Sequence, residues 1–209
     1  MAKLDEIKQA VETGKSKLIE GLVNDALKEG ADPLKILNDA LVAAMGVVGD
    51  KFQKAEIFVP EMLVAARTMK KGVEVLKPKL GAGATTSMGK CIIGTVHGDL
   101  HDIGKNLVAL MIEAAGFEVI DLGVDVPMDK YVECIKANPT VKIVALSCLL
   151  TTTMPSLKDI AAAVKKAGGG FKLIVGGAPI TQEFADSIGA DGFATDAAGA
   201  AIIAKKLAS

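Results

Sequence analysis

The chain has 209 residues, with 24 Lys plus Arg against 25 Asp plus Glu and a formal net charge of −1; at ~100–200 residues per domain this allows one large domain or two small ones. Half the residues are hydrophobic and 23% are charged, which supplies packed cores and excludes wholesale disorder. The balanced charge leaves no electrostatic footprint for nucleic acid or an anionic membrane, and 3% aromatic residues with no Trp argue against stacking on bases or sugars.

The N-terminal MAKLDEIKQA lacks the apolar core of a signal peptide. Residues 1 to about 77 read as helix throughout. Leu4, Ile7 and Val11 share a face. Leu18, Ile19, Leu22, Val23, Ala26 and Leu27 repeat at helical spacing, and Gly30 is placed as a C-terminal stop. Asp32-Pro33 is a start signal for a stripe of Ile36, Leu37, Ala40, Leu41, Ala44, Met45 and Val48. Pro60 opens a fourth helix with Met62, Ala66, Met69, Val73 and Leu76 at heptad-like intervals. Four amphipathic helices with short links imply a small bundle over residues 1–77. Residues 78–89, PKLGAGATTSMG, carry no charge after Lys79 and read as a pliable linker.

From Lys90 the period changes. CIIGTV, FEVIDLG, VKIVALS, FKLIVGG and DGFAT read as strands, and five helical stretches alternate with them. Residues 90–209 therefore predict a parallel, doubly wound sheet of flavodoxin-like (Rossmann-like) type, and the chain is α/β beneath a helical bundle. Ligands of such sheets bind beyond the strand C-termini, so the loops after Val96, Gly123, Leu146, Val175 and Ala194 carry the functional information. Cys91, Cys134 and Cys148 are odd in number, widely spaced and without CxxC, so neither a disulfide framework nor a zinc site follows. No uncharged apolar run reaches the ~18 residues of a membrane span. The expectation is a soluble cytoplasmic protein.

The first loop, His97-Gly98-Asp99-Leu100-His101-Asp102-Ile103-Gly104, holds both histidines of the chain and no phosphate-binding glycine pattern. An Asp two residues before a His can accept the second imidazole N–H, which fixes the tautomer and leaves the other nitrogen for a metal. One His is too few for a protein-only zinc or iron site, so a macrocycle with four equatorial nitrogens, haem or a corrinoid, is the metal-binding alternative. A His that caps the helix or is simply exposed is the plainer one. The third loop carries Ser147, Thr151, Thr152 and Thr153, small hydroxyls suited to hydrogen bonding or to capping the next helix. The fourth carries Gly176-Gly177, a bare-backbone ligand surface or a plain turn.

Asp99-x-His101-x-x-Gly104, Ser147-x-Leu149 and Gly176-Gly177 resemble the DxHxxG, SxL and GG signature of cobalamin-binding domains, in order and at the ends of the first, third and fourth strands. The stretch MGVVGDKFQKAEIFVPEMLVAARTMKKGVEVLKP resembles the helical cap of methionine synthase and of corrinoid proteins from anaerobic methyltransferase systems. The resemblance covers essentially the whole chain and matches the free-standing corrinoid proteins best. It implies a methyl carrier that accepts a methyl group on Co(I) from a substrate-specific methyltransferase. A second methyltransferase, using tetrahydrofolate or coenzyme M, would remove it, and a reductive activase would be a further partner. Methanol, methylamine and O-demethylase systems are all compatible donors.

By the same resemblance His101 is the lower cobalt ligand in place of the cofactor's own base, and Asp99 hydrogen-bonds it. Thr153 continues the relay where methionine synthase has Ser. Ile103 and Gly104 count among the cofactor contacts. Ser147 and Thr151 contact the nucleotide tail, Leu149 lines its slot, and Gly176 and Gly177 let it pass. Phe52 and Val59 cover the methyl-bearing face, the latter standing for Leu. A cobalamin-dependent sensor is the alternative, but its DNA-binding domain has no basic segment to match here. A receiver domain would want an Asp where Ser147 stands.

Overall fold

The computed structural model describes residues 2–80 and 88–208. They fall into two compact units, one helical and one built on a sheet.

In the helical unit, α1 spans Ala2–Glu12 and α2 spans Ile19–Lys28. Gly30 takes φ +85°, and the Gly30 and Ala31 amides close back on the carbonyls of Leu27 and Ala26, so the predicted glycine stop ends α2. Asp32 caps the next run by accepting the Leu34 N–H at 3.0 Å. That run is unbroken: α3 (Pro33–Lys35), a π-helical segment (Ile36–Val42) and α4 (Ala43–Gln53). Every residue of the predicted stripe from Ile36 to Val48 is buried. The π segment is not foreseeable from that stripe, because residues at i, i+1, i+4 and i+5 go inward together in α and π geometry alike.

Helix α5 (Val59–Leu76) starts where the Glu61 carboxylate accepts the Phe58 N–H at 2.9 Å. It buries Met62, Ala65, Thr68, Met69, Gly72, Val73 and Leu76, so Ala65 rather than the expected Ala66 faces the core. A Cβ on Gly72 would stand 2.9 Å from Leu41 and 3.2 Å from Ile19, so the glycine lets three helices close together. A 3-10 turn, Lys77–Lys79, follows α5 at the start of the expected linker, of which residues 81–87 lie outside the described residues.

The sheet unit alternates strand and helix as its periodicity predicts: β1 (Lys90–Thr95), α6 (Ile103–Ala114), β2 (Glu118–Asp121), α7 (Met128–Ala137), β3 (Val141–Ser147), α8 (Met154–Ala167), β4 (Lys172–Gly176), α9 (Gln182–Ser187), β5 (Gly192–Ala194) and α10 (Ala197–Ala208). All pairings are parallel and the order is β2-β1-β3-β4-β5. Ile92, Val144, Leu146, Leu173 and Val175 cluster with Tyr131, Ile135, Leu157 and Ile160 of α7 and α8. The intervening Cys91, Ile93, Ile143, Ala145 and Ile174 are buried as well, so both faces are covered, as a parallel sheet requires. The chain leaves β1 outward to β2 and returns across it to β3. In sheets of this order ligands usually bind at that reversal, beyond the ends of β1 and β3.

Candidate functional site

Register carries the SxL and GG segments, at the ends of β3 and β4, to one line. Thr95 pairs with Ser147, and Ser147 with Gly176, at the C-terminal edge of three adjacent strands. The β1 loop is stitched to this edge by Val96 N–H to the Ser147 carbonyl (3.0 Å) and by the Thr95 hydroxyl to the His101 carbonyl (2.8 Å).

Asp99 is the hub. Its side chain is 0% exposed, yet both oxygens are satisfied. Oδ1 accepts the His101 N–H at 3.1 Å and lies 2.6 Å from His101 Nδ1. Oδ2 accepts the Leu149 N–H at 2.7 Å, the Leu150 N–H at 3.3 Å and the Thr153 hydroxyl at 3.1 Å. Burial by itself would push this carboxyl up. The Leu149 N–H, the His101 side chain and N–H and the Thr153 hydroxyl more than offset that and hold it at about 2. Asp99 is thus a carboxylate at neutral pH and can only accept, so His101 Nδ1 carries the proton and, in the neutral ring, Nε2 keeps the lone pair. The His101 side chain is half exposed.

Thr153 is buried in the 3-10 turn Thr151–Thr153, with the Cys148 sulfur 3.2 Å from its hydroxyl. Burial pushes the Cys148 thiol up, and the Asp99 charge adds to this. Leu149 is exposed, Ser147 is half-buried and Thr151 lies on the surface. The two glycines differ in what they adjoin. A Cβ on Gly176 would stand 3.0 Å from the Ala194 carbonyl oxygen. Gly177 has φ +129°, and a Cβ there would fall 1.8 Å from the Cys148 carbonyl oxygen, so the chain's own β3 loop occupies that space. Gly104, in the first turn of α6, has nothing within 4 Å of its Cβ position, and Ile103 before it is 85% exposed. Exposed Leu100, Leu149 and Leu150 add apolar surface to the same two loops, which also carry His97, exposed and held through Nδ1 by Asp125 at 2.7 Å as His101 is by Asp99. Among the described residues no three His, Cys, Asp or Glu side chains converge to hold a metal.

These features fit a corrinoid: a His101 ring oriented by a fully buried carboxylate, a bare backbone at Gly104, and apolar side chains for a broad amphipathic ring. Residues 89–202 match the family described as B12 binding domain, and residues 3–77 match a second family of the same description. The chain belongs to the B12-binding corrinoid proteins. It is 42% identical over 199 residues to the trimethylamine corrinoid protein of Methanosarcina barkeri, covering 91% of each chain. It is 42% identical over 207 residues to dimethylamine corrinoid protein 1 of Methanosarcina acetivorans, covering 98% of this chain and 96% of that one. Among solved structures, the methanol:cobalamin methyltransferase complex MtaBC of Methanosarcina barkeri contains a chain that superposes with a TM-score of 0.83 at 29% identity, over 99% of this chain and 80% of that one.

In this corrinoid protein the expected site residues fall into two groups. Asp99, His101, Ile103, Gly104, Ser147, Leu149, Thr151, Thr153, Gly176 and Gly177 all stand at or just beyond the C-terminal ends of β1, β3 and β4. Phe52 and Val59 belong to the helical unit, half-buried on either side of the 54–58 turn, where Ala55 adopts φ +55°. Sequence reasoning missed the Leu149 and Leu150 amides, because a backbone N–H leaves no mark in residue type, and it missed Asp125, which bonds the β1 loop from the next crossover. Among the described residues no helix is long and apolar enough to cross a membrane.

Proposed function

We propose that this chain is a methyl carrier, receiving a methyl group from a substrate-specific methyltransferase and handing it to a second one that uses tetrahydrofolate or coenzyme M. When bound, a corrinoid supplies a cobalt atom able to take up and give up that group. The observation that carries the reading is the buried Asp99 carboxylate, which holds His101 Nδ1 at 2.6 Å while the β3 loop holds Asp99. So anchored, His101 offers Nε2 in one tautomer as the lower ligand. Asp99 would keep that nitrogen turned toward the cobalt by accepting the Nδ1 proton, and the Thr153 hydroxyl steadies Asp99.

Ser147, Leu149, Thr151 and Gly176 line the path assigned to the nucleotide tail, and Gly177 serves it by letting the Cys148 backbone close in. Ile103 and Gly104 are the residues that would lie against the ring, being exposed and open at the start of α6. Phe52 and Val59 are the apolar residues assigned to keep water from the methyl group. The methylamine corrinoid proteins among the relatives favour a methylamine donor, and a methyltransferase and a reductive activase are the partners this role requires.

The test is reconstitution with hydroxocobalamin and reduction to Co(II). Histidine nitrogen should split the electron paramagnetic resonance signal in wild type. That splitting should change with 15N-histidine labelling and vanish in His101→Ala. A wild-type spectrum without it would remove His101 as the ligand, and failure of every methylamine, methanol and methoxyarene donor assay with partner methyltransferases would remove the carrier role.

A further inference from the structure

Asp125 sits in the turn between β2 and α7 at φ +50°, a left-handed region uncommon for residues with a Cβ, Asp and Asn being among the more tolerant. Its bonds account for this. Oδ1 accepts the Gly98 N–H at 2.7 Å and stands 2.7 Å from His97 Nδ1. Its own N–H donates to the Asp99 carbonyl at 2.9 Å. One residue of a neighbouring crossover thus grips three consecutive residues, 97 to 99, just before His101. The adjoining Val126 extends the seam, bridging Val96 and donating to the Thr95 carbonyl at 3.0 Å.

The gripped segment has little freedom. Gly98 takes φ +85°, and its Cβ position lies 3.4 Å from the Thr153 methyl group. The Gly98 N–H, and then His97, draw the Asp125 carboxyl below the usual carboxylate range, as expected of an acceptor kept ionised by its donors. Asp99 is fixed through its side chain by the β3 loop and through its backbone by Asp125, from opposite sides of the β1 loop.

We propose that Asp125 is a positioning residue for His101: its carboxylate and N–H set the path of residues 97–99 and so aim the imidazole that Asp99 orients. The functional meaning of that aim rests on His101 being the lower ligand. Asp125→Asn keeps an acceptor oxygen and tolerates positive φ. Asp125→Gly removes the acceptor while easing the backbone, so the pair isolates the side chain.

In 15N-labelled protein without corrinoid, Asp125→Gly is expected to speed Gly98 amide exchange by about tenfold or more and to shift the His101 ring nitrogens. Asp125→Asn should stay near wild type, and the Val175 amide of β4 should not change in either. After loading with hydroxocobalamin and reduction, Asp125→Gly should lose part of the histidine nitrogen splitting that Asp125→Asn retains. Wild-type Gly98 exchange and wild-type His101 shifts in Asp125→Gly would overturn the proposal, and so would faster exchange at Val175 along with Gly98, the mark of general loosening. Absence of the splitting in wild type itself would instead refute His101 as ligand, leaving the corrinoid-free measurement to decide what Asp125 does.

Discussion

The two units bury different chemistry. The helical unit is apolar inside: its one buried polar side chain among the described residues, Thr68, satisfies itself by donating to the Val64 carbonyl one turn back. The sheet unit buries Thr95, Asp99, Lys105 and Thr153, and Asp99 and Lys105 are charged. Lys105 is paired with Asp121 at 2.5 Å, and Asp99 with donors from two loops. A buried charge is costly unless fully partnered, so such a network persists where it does something apolar packing would not. The contrast is between a buried, fully partnered polar network in the sheet unit and an apolar core in the helical unit.

The largest effect that tests this contrast is at Asp99. Asp99→Ala strands three loop amides, the Thr153 hydroxyl and the His101 ring, and should lower the unfolding free energy by about 3–5 kcal/mol. Thr68→Val, which removes an equally buried hydroxyl from the helical unit, should cost less than about 1 kcal/mol in the same urea titration, since only a local back-bond is lost. Equal losses would erase the distinction.

Glycines sharpen it next. Gly177→Ala drives a methyl group into the Cys148 carbonyl at a backbone angle that suits glycine, and should cost at least about 3 kcal/mol by thermal unfolding. Gly46→Ala in α4, where nothing stands near the new methyl group, should raise stability by about 0.5–1 kcal/mol.

A smaller effect is the pH dependence contributed by Asp99. Its folded value of about 2 lies below the ordinary 3.8, so the folded state binds this proton less readily than the unfolded chain. Its contribution, about 2 kcal/mol, is therefore complete above pH ~4 and is lost as pH falls toward 2. The stability gap between wild type and Asp99→Asn should narrow over that window. A gap independent of pH between 5 and 2 would mean that the carboxylate is not held as described.

The smallest concerns thiols, all three of which lie in the sheet unit. Burial raises all three thiols, Cys91 to about 12, but Cys134 on α7 is only half-buried while Cys91 and Cys148 are buried. Alkylation of the native protein should reach Cys134 first, with Cys91 and Cys148 slower by about a hundredfold, limited by local opening. Mass spectrometry of labelled peptides reads the order.

Much of this molecule was legible as a string. Strand VKIVALS spans its expected residues, and the Ile36 to Val48 stripe is buried throughout. The small miss at Ala66 is a rotation of one residue, within what a 3.6-residue period resolves. In the site, the pairing of Asp99 with His101 was readable because it is two residues long. The links from Asp99 to Leu149, Leu150 and Thr153 join positions about fifty residues apart, and two of their donors are backbone amides. Asp125 had no signal, since an acidic residue in a turn is unremarked until its partners are known.

By itself the sequence determined which segments are helix or strand, that glycine ends α2, and that DxHxxG, SxL and GG stand at the ends of three of the five strands, β1, β3 and β4. These are local consequences of side-chain period and backbone conformation. Only the tertiary structure decided that β1 lies between β2 and β3, which brings the His101 and Thr153 loops together and puts Asp125 beside Gly98. It also decided that the space at Gly177 belongs to the chain's own backbone. The physical reason is that hydrogen bonding between strands uses groups common to every residue, so which strands become neighbours is settled by packing both faces of the sheet at once, and no single segment encodes that choice.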